Sequence, residues 1–318
     1  MNNPHIKSRN VVTRFYNKII FEGNKVIKGA PQDRFYKEIG WFKEAKKRIP
    51  NNIPHIYNYD KKITANVDNL KYYEMQCIDG TNLYEWIDDN KKTFPKVFAK
   101  FINLVKAMHN ETFEPKPDDI FNMYLSKPKD ALVKFIRESK IDCNNIVINN
   151  NKFSDPVKEL ERKYYELEEK LLDTRYSFIH GDLTMSNTLI NDKEELYLID
   201  PRGGFGSTSI YGDVRYDIAK IYYSIIGNFD SLNIGKYTYK QDNEPLKGHH
   251  YSIVNNELGS YRKDIIKLFG EDEEIIRYIH ATIWLSLIPH VANNPEQQLC
   301  TFCKGVELLN TINDYEKQ

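Results

Sequence analysis

The feature that most constrains the fold of this 318-residue chain is a pair of short apolar runs joined by a polar turn. The runs cover 188–190 and 196–199, and the turn between them reads Asn-Asp-Lys-Glu-Glu. Two apolar runs this close together predict an antiparallel hairpin. Asn187 precedes the first strand and Asp200 follows the second, so both side chains are expected at the open end of the hairpin.

That open end offers two oxygen ligands of the kind that Mg²⁺ prefers. Because Mg²⁺ takes few protein ligands and completes its octahedron with water and phosphate oxygens, a nucleoside triphosphate is the expected companion. Asp182 lies five residues before Asn187, in the sequence His-Gly-Asp-Leu-Thr-Met-Ser-Asn. Its carboxylate is placed to orient or deprotonate a hydroxyl that attacks the γ-phosphate. The segment therefore predicts a catalytic aspartate and two metal ligands, Asn187 and Asp200.

This constellation resembles the catalytic and metal-binding loops of the aminoglycoside phosphotransferase and choline kinase family of small-molecule kinases, which shares the protein-kinase fold. The residues that carry the resemblance are His180, Gly181, Asp182, Asn187 and Asp200. It implies ATP and Mg²⁺ as cofactors and Asp182 as the catalytic base. A protein kinase is disfavoured because the chain has neither a His-Arg-Asp loop nor an Ala-Pro-Glu segment.

The resemblance also suggests the remaining contacts to ATP. Lys28 ends a strand-like run and resembles the strand lysine that pairs with the α- and β-phosphates. Glu38, ten residues later, resembles the helix glutamate that holds that lysine, and Glu44 is a weaker choice. The backbone from about Gln76 to Ile78 resembles the hinge that meets the adenine edge.

The order of sequence patterns predicts two unequal lobes. Strand patterns occur at 11–16, 18–21, 25–28, 55–59 and 72–77, and helical spacing occurs at 33–48, 94–109, 156–172 and 275–289. The asparagine-rich stretch 144–151 is expected to be a loop, and nothing identifies the role of 116–176. We expect an α+β, bilobal protein-kinase-like fold, with a small antiparallel-sheet nucleotide-binding lobe at 1–78 and a mostly helical catalytic and substrate-binding lobe at 79–318.

Composition excludes several classes of partner. Lys+Arg and Asp+Glu both number 45, so no global charge favours nucleic acid. The chain shows neither a signal-like apolar start nor an apolar run of about 18 residues, so we expect a cytoplasmic protein without membrane insertion. The four cysteines are expected to be reduced thiols, and the Cys300–Cys303 pair falls in a helical pattern that suits neither zinc nor redox chemistry.

Two stretches depart from the family pattern. No glycine-rich loop occurs at 6–11, where Ser8 and Asn10 are the available hydrogen-bond donors to a phosphate. Asp200 is followed by Pro-Arg-Gly-Gly-Phe-Gly, which resembles bacterial phosphotransferases associated with surface-polysaccharide synthesis. Arg202 in that stretch is a candidate contact for a phosphate or an anionic substrate. Asp217 resembles the helix-start aspartate that braces the catalytic loop, and His180 is interpreted as a scaffold residue.

The predicted reaction is transfer of the γ-phosphate of ATP to a hydroxyl of a small molecule, with a sugar or other polyol of surface-polysaccharide synthesis as the expected acceptor. Candidate acceptor-side residues are Arg202, Asp213, Trp284 and His290. A choline or ethanolamine kinase with an aromatic cage, an aminoglycoside kinase with a carboxylate cluster, and a non-catalytic nucleotide-binding module remain alternatives. The sequence leaves open the acceptor, the hydroxyl that is phosphorylated, the choice between ATP and GTP, and the oligomeric state.

Overall fold

The structure, a computed structural model, describes residues 18–59, 70–242 and 248–314. The chain forms two compact units, Met1–Asn110 with Met185–Gly203, and Glu111–Thr184 with Gly204–Gln318. The predicted strand at 11–16 and the donors Ser8 and Asn10 lie outside the described residues. The predicted division into functional lobes after residue 78 stays a prediction.

The strands and helices are as follows in chain order. The strands are β1 (Lys18–Glu22), β2 (Lys25–Pro31), β3 (Ile56–Tyr59), β4 (Leu70–Gln76), β5 (Gly80–Asn82), β6 (Ile146–Ile148), β7 (Asn151–Phe153), β8 (Tyr176–Phe178), β9 (Thr188–Asn191), β10 (Leu196–Leu198), β11 (Tyr211–Asp213), β12 (Tyr237–Gln241) and β13 (His249–Ile253). The α-helices are α1 (Gln32–Arg48), α2 (Leu83–Asn90), α3 (Phe94–Met108), α4 (Pro117–Phe121), α5 (Lys127–Ser139), α6 (Pro156–Leu172), α7 (Val214–Ile225), α8 (Phe229–Asn233), α9 (Arg262–Phe269), α10 (Glu273–Leu287) and α11 (Pro295–Asn310). A π-helical turn covers Asn122–Ser126, and 3₁₀ turns cover Gly259–Tyr261 and Ile288–Val291.

The first unit contains an antiparallel sheet with the strand order β1-β2-β4-β3. Helix α1 packs against β2 and β4. Its buried face includes Phe35, Ile39, Phe42 and Ala45, which are the residues whose spacing predicts the helix. The predicted antiparallel sheet with one packed helix is therefore present.

The predicted hairpin is also present in the first unit. β9 and β10 pair antiparallel, with Leu196 opposite Ile190 and Leu198 opposite Thr188, and β5 adds a third strand beside β9. A Cβ atom on Gly80 of β5 would lie 2.3 Å from the carbonyl oxygen of Ile190. Only glycine allows β5 to approach β9 this closely.

The second unit is mostly helical. Helix α10 lies at its centre, where it packs against α5, α7 and α11, and twelve of its fifteen residues are buried. Two small sheets accompany the helices, one formed by β11 and β8 and the other with the order β12-β13-β6-β7. A sheet-rich first unit and a helical second unit confirm the predicted α+β, kinase-like fold class.

The predicted loop at 144–151 is wrong, because this stretch contains β6 and the turn into β7. Asn149 and Asn150 have φ of 48° and 66°, in the left-handed region that asparagine tolerates better than most residues. Two such residues between paired strands form a tight hairpin turn. Ile146 and Ile148 face the core, so their alternation outweighs the polar composition of the stretch.

The remaining expectations concern cysteines and membrane spans. Cys300 and Cys303 are both buried on α11, as the helical pattern predicts, and burial raises the pKa of both thiols. Across 18–59, 70–242 and 248–314, no helix combines the length and apolar character needed to span a bilayer.

Candidate active site

Lys28 of the first unit is at the centre of a buried charge cluster. Its ammonium lies 2.8 Å from Oε2 of Glu38 and 2.6 Å from Oδ1 of Asp200. Burial by itself would lower the pKa of Lys28, but the two carboxylates outweigh burial and raise it. The lysine predicted on the strand and the glutamate predicted on the helix are thus in direct contact.

Arg34 completes this cluster and is a residue that sequence reasoning missed. Its Nε donates to Oε1 of Glu38 at 2.5 Å, and its Nη2 donates to Oδ1 of Asp200 at 2.6 Å. Tyr73 donates its hydroxyl to Oε2 of Glu38 at 2.8 Å. The carboxylate of Glu38 is fully buried, and Lys28, Arg34 and Tyr73 hold it in place as three donors.

Asp200 sits at the open end of the hairpin, as predicted. The backbone N–H of Ile199 donates to the carbonyl oxygen of Asn187 at 3.0 Å, which brings Asn187 and Asp200 to the same end of the strands. Asp200 itself has φ of 56°, an uncommon backbone conformation of the kind that clusters at functional sites. Gly203 has φ of 64°, and a Cβ there would lie 2.7 Å from the backbone of Lys37.

The donor set at this end suits Mg²⁺. It combines a carboxylate from Asp200, whose side chain is 35% exposed, with the amide of partly buried Asn187. Among the described residues, no group of three or more His, Cys, Asp or Glu side chains forms a metal cage. Mg²⁺ does not need such a cage, because it commonly binds through one or two carboxylates together with phosphate oxygens.

The candidate adenine contacts Gln76 and Ile78 lie at the end of β4. The N–H groups of Gln76 and Cys77 are used inside the unit, where they donate to the carbonyls of His55 and Asn24 at 2.8 Å each. Ile78 is 4% exposed. A role for this stretch in adenine binding stays a prediction.

The loop that carries Asp182 belongs to the second unit, and the carboxylate of Asp217 binds its backbone. The N–H groups of His180 and Gly181 donate to the two carboxylate oxygens of Asp217 at 2.8 and 2.7 Å. Gly181 has φ of 77°, which glycine adopts without strain. Nδ1 of buried His180 accepts from the N–H of Asp182 at 3.3 Å. These contacts match the bracing and scaffold interpretations of Asp217 and His180.

Lys220 is a second residue that sequence reasoning left without a role. Its ammonium lies 2.9 Å from Oδ1 of Asp182 and 4.6 Å from the centre of the Tyr223 ring. Lys220 follows Asp217 by three residues on α7, so both side chains project from neighbouring positions of one helix face. The three-residue spacing from Asp217 was the sequence signal that could have identified Lys220 as a neighbour of the Asp182 loop.

The acceptor-side candidates have different surroundings. Asp213 is fully buried and caps α7, where it accepts from Arg215, Thr174 and Tyr124. Trp284 is also fully buried, and its Nε1 donates to Nε2 of His280 at 2.9 Å. His290 is exposed in a 3₁₀ turn. In the first unit, Arg202 is partly buried.

With this geometry established, comparison with known proteins identifies the family. A model of the phosphotransferase enzyme family matches residues 25–238. The chain belongs to this family. The predictions of a family phosphotransferase and of an enzyme are thereby confirmed. A search of curated proteins returns no significant match.

Several solved structures share the fold of this phosphotransferase. A choline/ethanolamine kinase family protein from Mesorhizobium loti is 14% identical, with 98% of this chain and 90% of that chain covered and a TM-score of 0.56. A thermostable mutant of aminoglycoside phosphotransferase APH(4)-Ia, in complex with ADP and hygromycin B, is 12% identical, with 93% of each chain covered and a TM-score of 0.56. Choline kinase LicA from Streptococcus pneumoniae is 15% identical, with 93% and 90% covered and a TM-score of 0.51. At these identities the similarity supports the fold alone.

Proposed function

We propose that this phosphotransferase transfers the γ-phosphate of ATP to a hydroxyl of a small molecule and requires Mg²⁺. The observation that carries the proposal is the contact of Lys28 with both Glu38 and Asp200. A buried lysine fixed in its charged form by a helix glutamate is the arrangement that positions ATP phosphates in kinases. Arg34 adds a second cation to the same carboxylates.

Asn187 and Asp200 are the proposed Mg²⁺ ligands, because both residues lie at one end of the hairpin and carry an amide and a carboxylate oxygen. Bound Mg²⁺ would neutralise negative charge on the phosphates. Asp200 is shared with Lys28 and Arg34, so loading of the metal requires that these contacts loosen. Backbone groups between Gln76 and Ile78 are the proposed adenine contacts. The ADP complex of the APH(4)-Ia relative supports the choice of an adenine nucleotide.

Asp182 is the proposed catalytic base. The acceptor hydroxyl oxygen forms a bond to the γ-phosphorus while the bond from that phosphorus to the β–γ bridging oxygen breaks, and ADP leaves with the electron pair. The hydroxyl proton passes to the carboxylate of Asp182. Asp217 supports this role by fixing the backbone of His180 and Gly181 directly before the base.

The proposed acceptor is a sugar or another polyol, used in the synthesis of a bacterial surface polysaccharide in the cytoplasm. Support comes from two segments that resemble the polysaccharide-associated phosphotransferases, the Asp-Pro-Arg-Gly segment that begins at Asp200 and the stretch 211–220. Arg202 and His290 offer accessible polar groups for such an acceptor. Asp213 and Trp284 are buried and bonded to neighbours, so any contribution to the acceptor site would be to shape its walls.

The test is ADP release from ATP across panels of free sugars, sugar phosphates, choline-like amines and aminoglycosides, with mass spectrometry of the products. We expect Mg²⁺-dependent transfer to at least one sugar or polyol, and its loss in Asp182→Asn. Transfer to amine-bearing cations alone would reject the sugar assignment. Tight binding of Mg-ATP without transfer to any acceptor would favour a non-catalytic nucleotide-binding module.

A further inference from the structure

We propose that Lys220 is a positioning residue of the phosphotransfer reaction, whose ammonium fixes the carboxylate of Asp182 in the orientation that the reaction needs. This role rests on the proposed function and adds to it the residue that holds the base. One direct contact in the second unit, and the way in which helix α7 builds that contact, support it.

The loop contacts of Asp217 and His180 fix the backbone at the base but not its side chain. Asp217 accepts from the N–H groups of His180 and Gly181. The N–H of Asp182 donates to Nδ1 of His180. The carboxylate of an aspartate still turns about a soft terminal torsion when its backbone is fixed. A general base must lie within about 3.2 Å of the oxygen whose proton it takes, and a misplacement of about 1 Å can cost about 100-fold in rate. A contact to the carboxylate itself therefore bears on the rate.

Lys220 makes such a contact. Its ammonium lies 2.9 Å from Oδ1 of Asp182, and the two side chains are 11% and 21% exposed. This is the length of a charge-assisted hydrogen bond, which is stronger than a neutral one. Because both side chains are largely out of water, salt screens the pair less than it screens a surface ion pair. An ammonium has three donors and no acceptor, so Lys220 can orient the carboxylate but cannot take the hydroxyl proton in its place.

Helix α7 holds Lys220 in turn. Asp217, Lys220 and Tyr223 follow one another at spacings of three residues, so they form one stripe along this buried helix. The ammonium of Lys220 lies 4.6 Å from the centre of the Tyr223 ring, a cation–π contact that limits the motion of the flexible lysine stem. The Tyr223 ring is fully buried, stacks on Phe229 with 4.3 Å between ring centroids and packs edge-on against Trp284 at 5.0 Å. One helix therefore fixes the backbone of the catalytic loop through Asp217 and its carboxylate through Lys220.

The charge of Lys220 allows positioning to be told apart from activation. A nearby ammonium favours the ionised form of a carboxylate, and this opposes the uptake of a proton. Stability is a weak reason for the pair, since desolvation offsets much of the attraction between two largely buried charges. Removal of the ammonium should therefore slow the reaction only if its orienting effect outweighs its opposition to proton uptake. The two effects have opposite signs, so kinetics can separate them.

The first arm of the test measures the contact without any turnover. Urea denaturation gives the equilibrium constant of unfolding for the wild type, Lys220→Met, Asp182→Ala and the double variant. We expect the two substitutions to be non-additive, with a coupling of about 3- to 30-fold in that constant. Lys152→Met, which changes an exposed lysine on β7, should combine with Asp182→Ala without coupling. Absence of coupling between Lys220→Met and Asp182→Ala overturns the inference. Lys220→Gln replaces Lys220→Met in both arms if the latter does not fold.

The second arm measures ADP release from Mg-ATP with water as the acceptor, a probe that needs no identified alcohol. Lys220→Met should lower kcat by about 10- to 100-fold and leave the KM for Mg-ATP within a few-fold, because its contact is made to the base. Lys220→Arg keeps a cation and should recover part of this loss, and Lys152→Met should turn over as the wild type does. Turnover of Lys220→Met equal to or above that of the wild type, or an equal fall in Lys220→Arg, overturns the inference.

Together the two arms distinguish this role from the proposed function. Turnover that depends on Asp182 but not on Lys220 would keep the reaction and reject the positioning role alone. Coupling without any ADP release, or with release that Asp182→Ala leaves unchanged, would reject Asp182 as the base and with it both the proposed function and the positioning role.

Discussion

Lys28 on β2 is buried and Lys304 on α11 is partly buried, and the surroundings of the two ammonium groups differ in charge. Lys28 contacts the carboxylates of Glu38 and Asp200, and its pKa is raised. Lys304 has no such contact among the described residues, and its pKa is lowered. Burial disfavours the charged form of both lysines, so the nearby carboxylates decide the direction of the shift.

The comparison extends to the rest of each cluster. In the first unit, two cations, Lys28 and Arg34, face two carboxylates that are partly shared with a proposed metal. In the second unit, Lys220 contacts Asp182, whereas no carboxylate of the described residues contacts Lys304 or Nδ1 of His280. The balanced cluster of the first unit suits the binding of a metal–nucleotide complex.

The largest expected effect tests the second unit. Asp182→Asn should lower kcat by roughly 100- to 10,000-fold, the usual contribution of a general base, and leave Mg-ATP affinity within a few-fold. Steady-state kinetics and calorimetry measure the two quantities. Asp192→Asn, in the exposed turn between β9 and β10, is the matched control. An equal loss of nucleotide binding in folded Asp182→Asn would contradict the role of base.

Lys28→Met tests the balanced cluster through stability. The substitution leaves the fully buried carboxylate of Glu38 with Arg34 and Tyr73 only, and removal of one partner of a buried ion pair typically costs about 3 kcal/mol or more. Urea denaturation gives the free energy of unfolding. Lys193→Met, at an exposed position of the same unit, should change it little. A fully stable Lys28→Met would show that the cluster does not depend on this lysine.

Asp200→Ala tests the proposed metal ligand. It should weaken binding of ATP by about 10- to 100-fold in the presence of Mg²⁺, because a charged ligand is lost. In EDTA, the wild type and the variant should bind ATP more nearly alike. Calorimetry under both conditions provides the comparison. Unchanged Mg²⁺-dependent affinity would exclude Asp200 as a metal ligand.

His280 should make the second unit sensitive to acid. Its pKa is lowered in the fold, so the unfolded chain takes up a proton near pH 6.5 while the folded ring stays neutral. Stability is therefore full above about pH 6.5 and falls below it, by up to about 1.4 kcal/mol for each pH unit. His280→Gln, which keeps an acceptor for Trp284, should lose less stability between pH 7 and pH 5 in urea titrations. Replacement of exposed His290 is the control, and equal slopes for wild type and His280→Gln would exclude this origin.

The smallest expected effect is the direct counterpart of Lys28→Met. Lys304→Met removes a partly buried charge that no carboxylate of the described residues contacts, so the free energy of unfolding should be unchanged or slightly higher at neutral pH. Because the folded pKa of Lys304 is lowered, any such gain should shrink as the pH rises towards about 10.5 and the unfolded lysine also loses its proton. Urea denaturation at pH 7 and pH 10 measures both. A clear loss of stability would show that Lys304 has a partner inside the protein.

Local patterns predicted much of the structure. Apolar spacing identified α1 and α3, and the paired runs around 191–195 identified the β9–β10 hairpin together with the placement of Asn187 and Asp200. The polar composition of 144–151 led to the wrong prediction of a loop, because two asparagines with positive φ form a tight turn between paired strands there. Arg34 and Lys220 each had a helical-spacing signal, but spacing does not show which charged partner a side chain meets.

By itself the sequence determined the family, the first sheet with its helix, the β9–β10 hairpin, and which residue types stand at the proposed catalytic positions, because these depend on short spacings along the chain. The tertiary structure alone decided which lysine meets carboxylates and which does not. Lys28 and Asp200 are 172 residues apart in the chain, yet their side chains are 2.6 Å apart in the fold. Coulomb interaction and desolvation depend on distance and burial in space, and no local pattern contains either quantity.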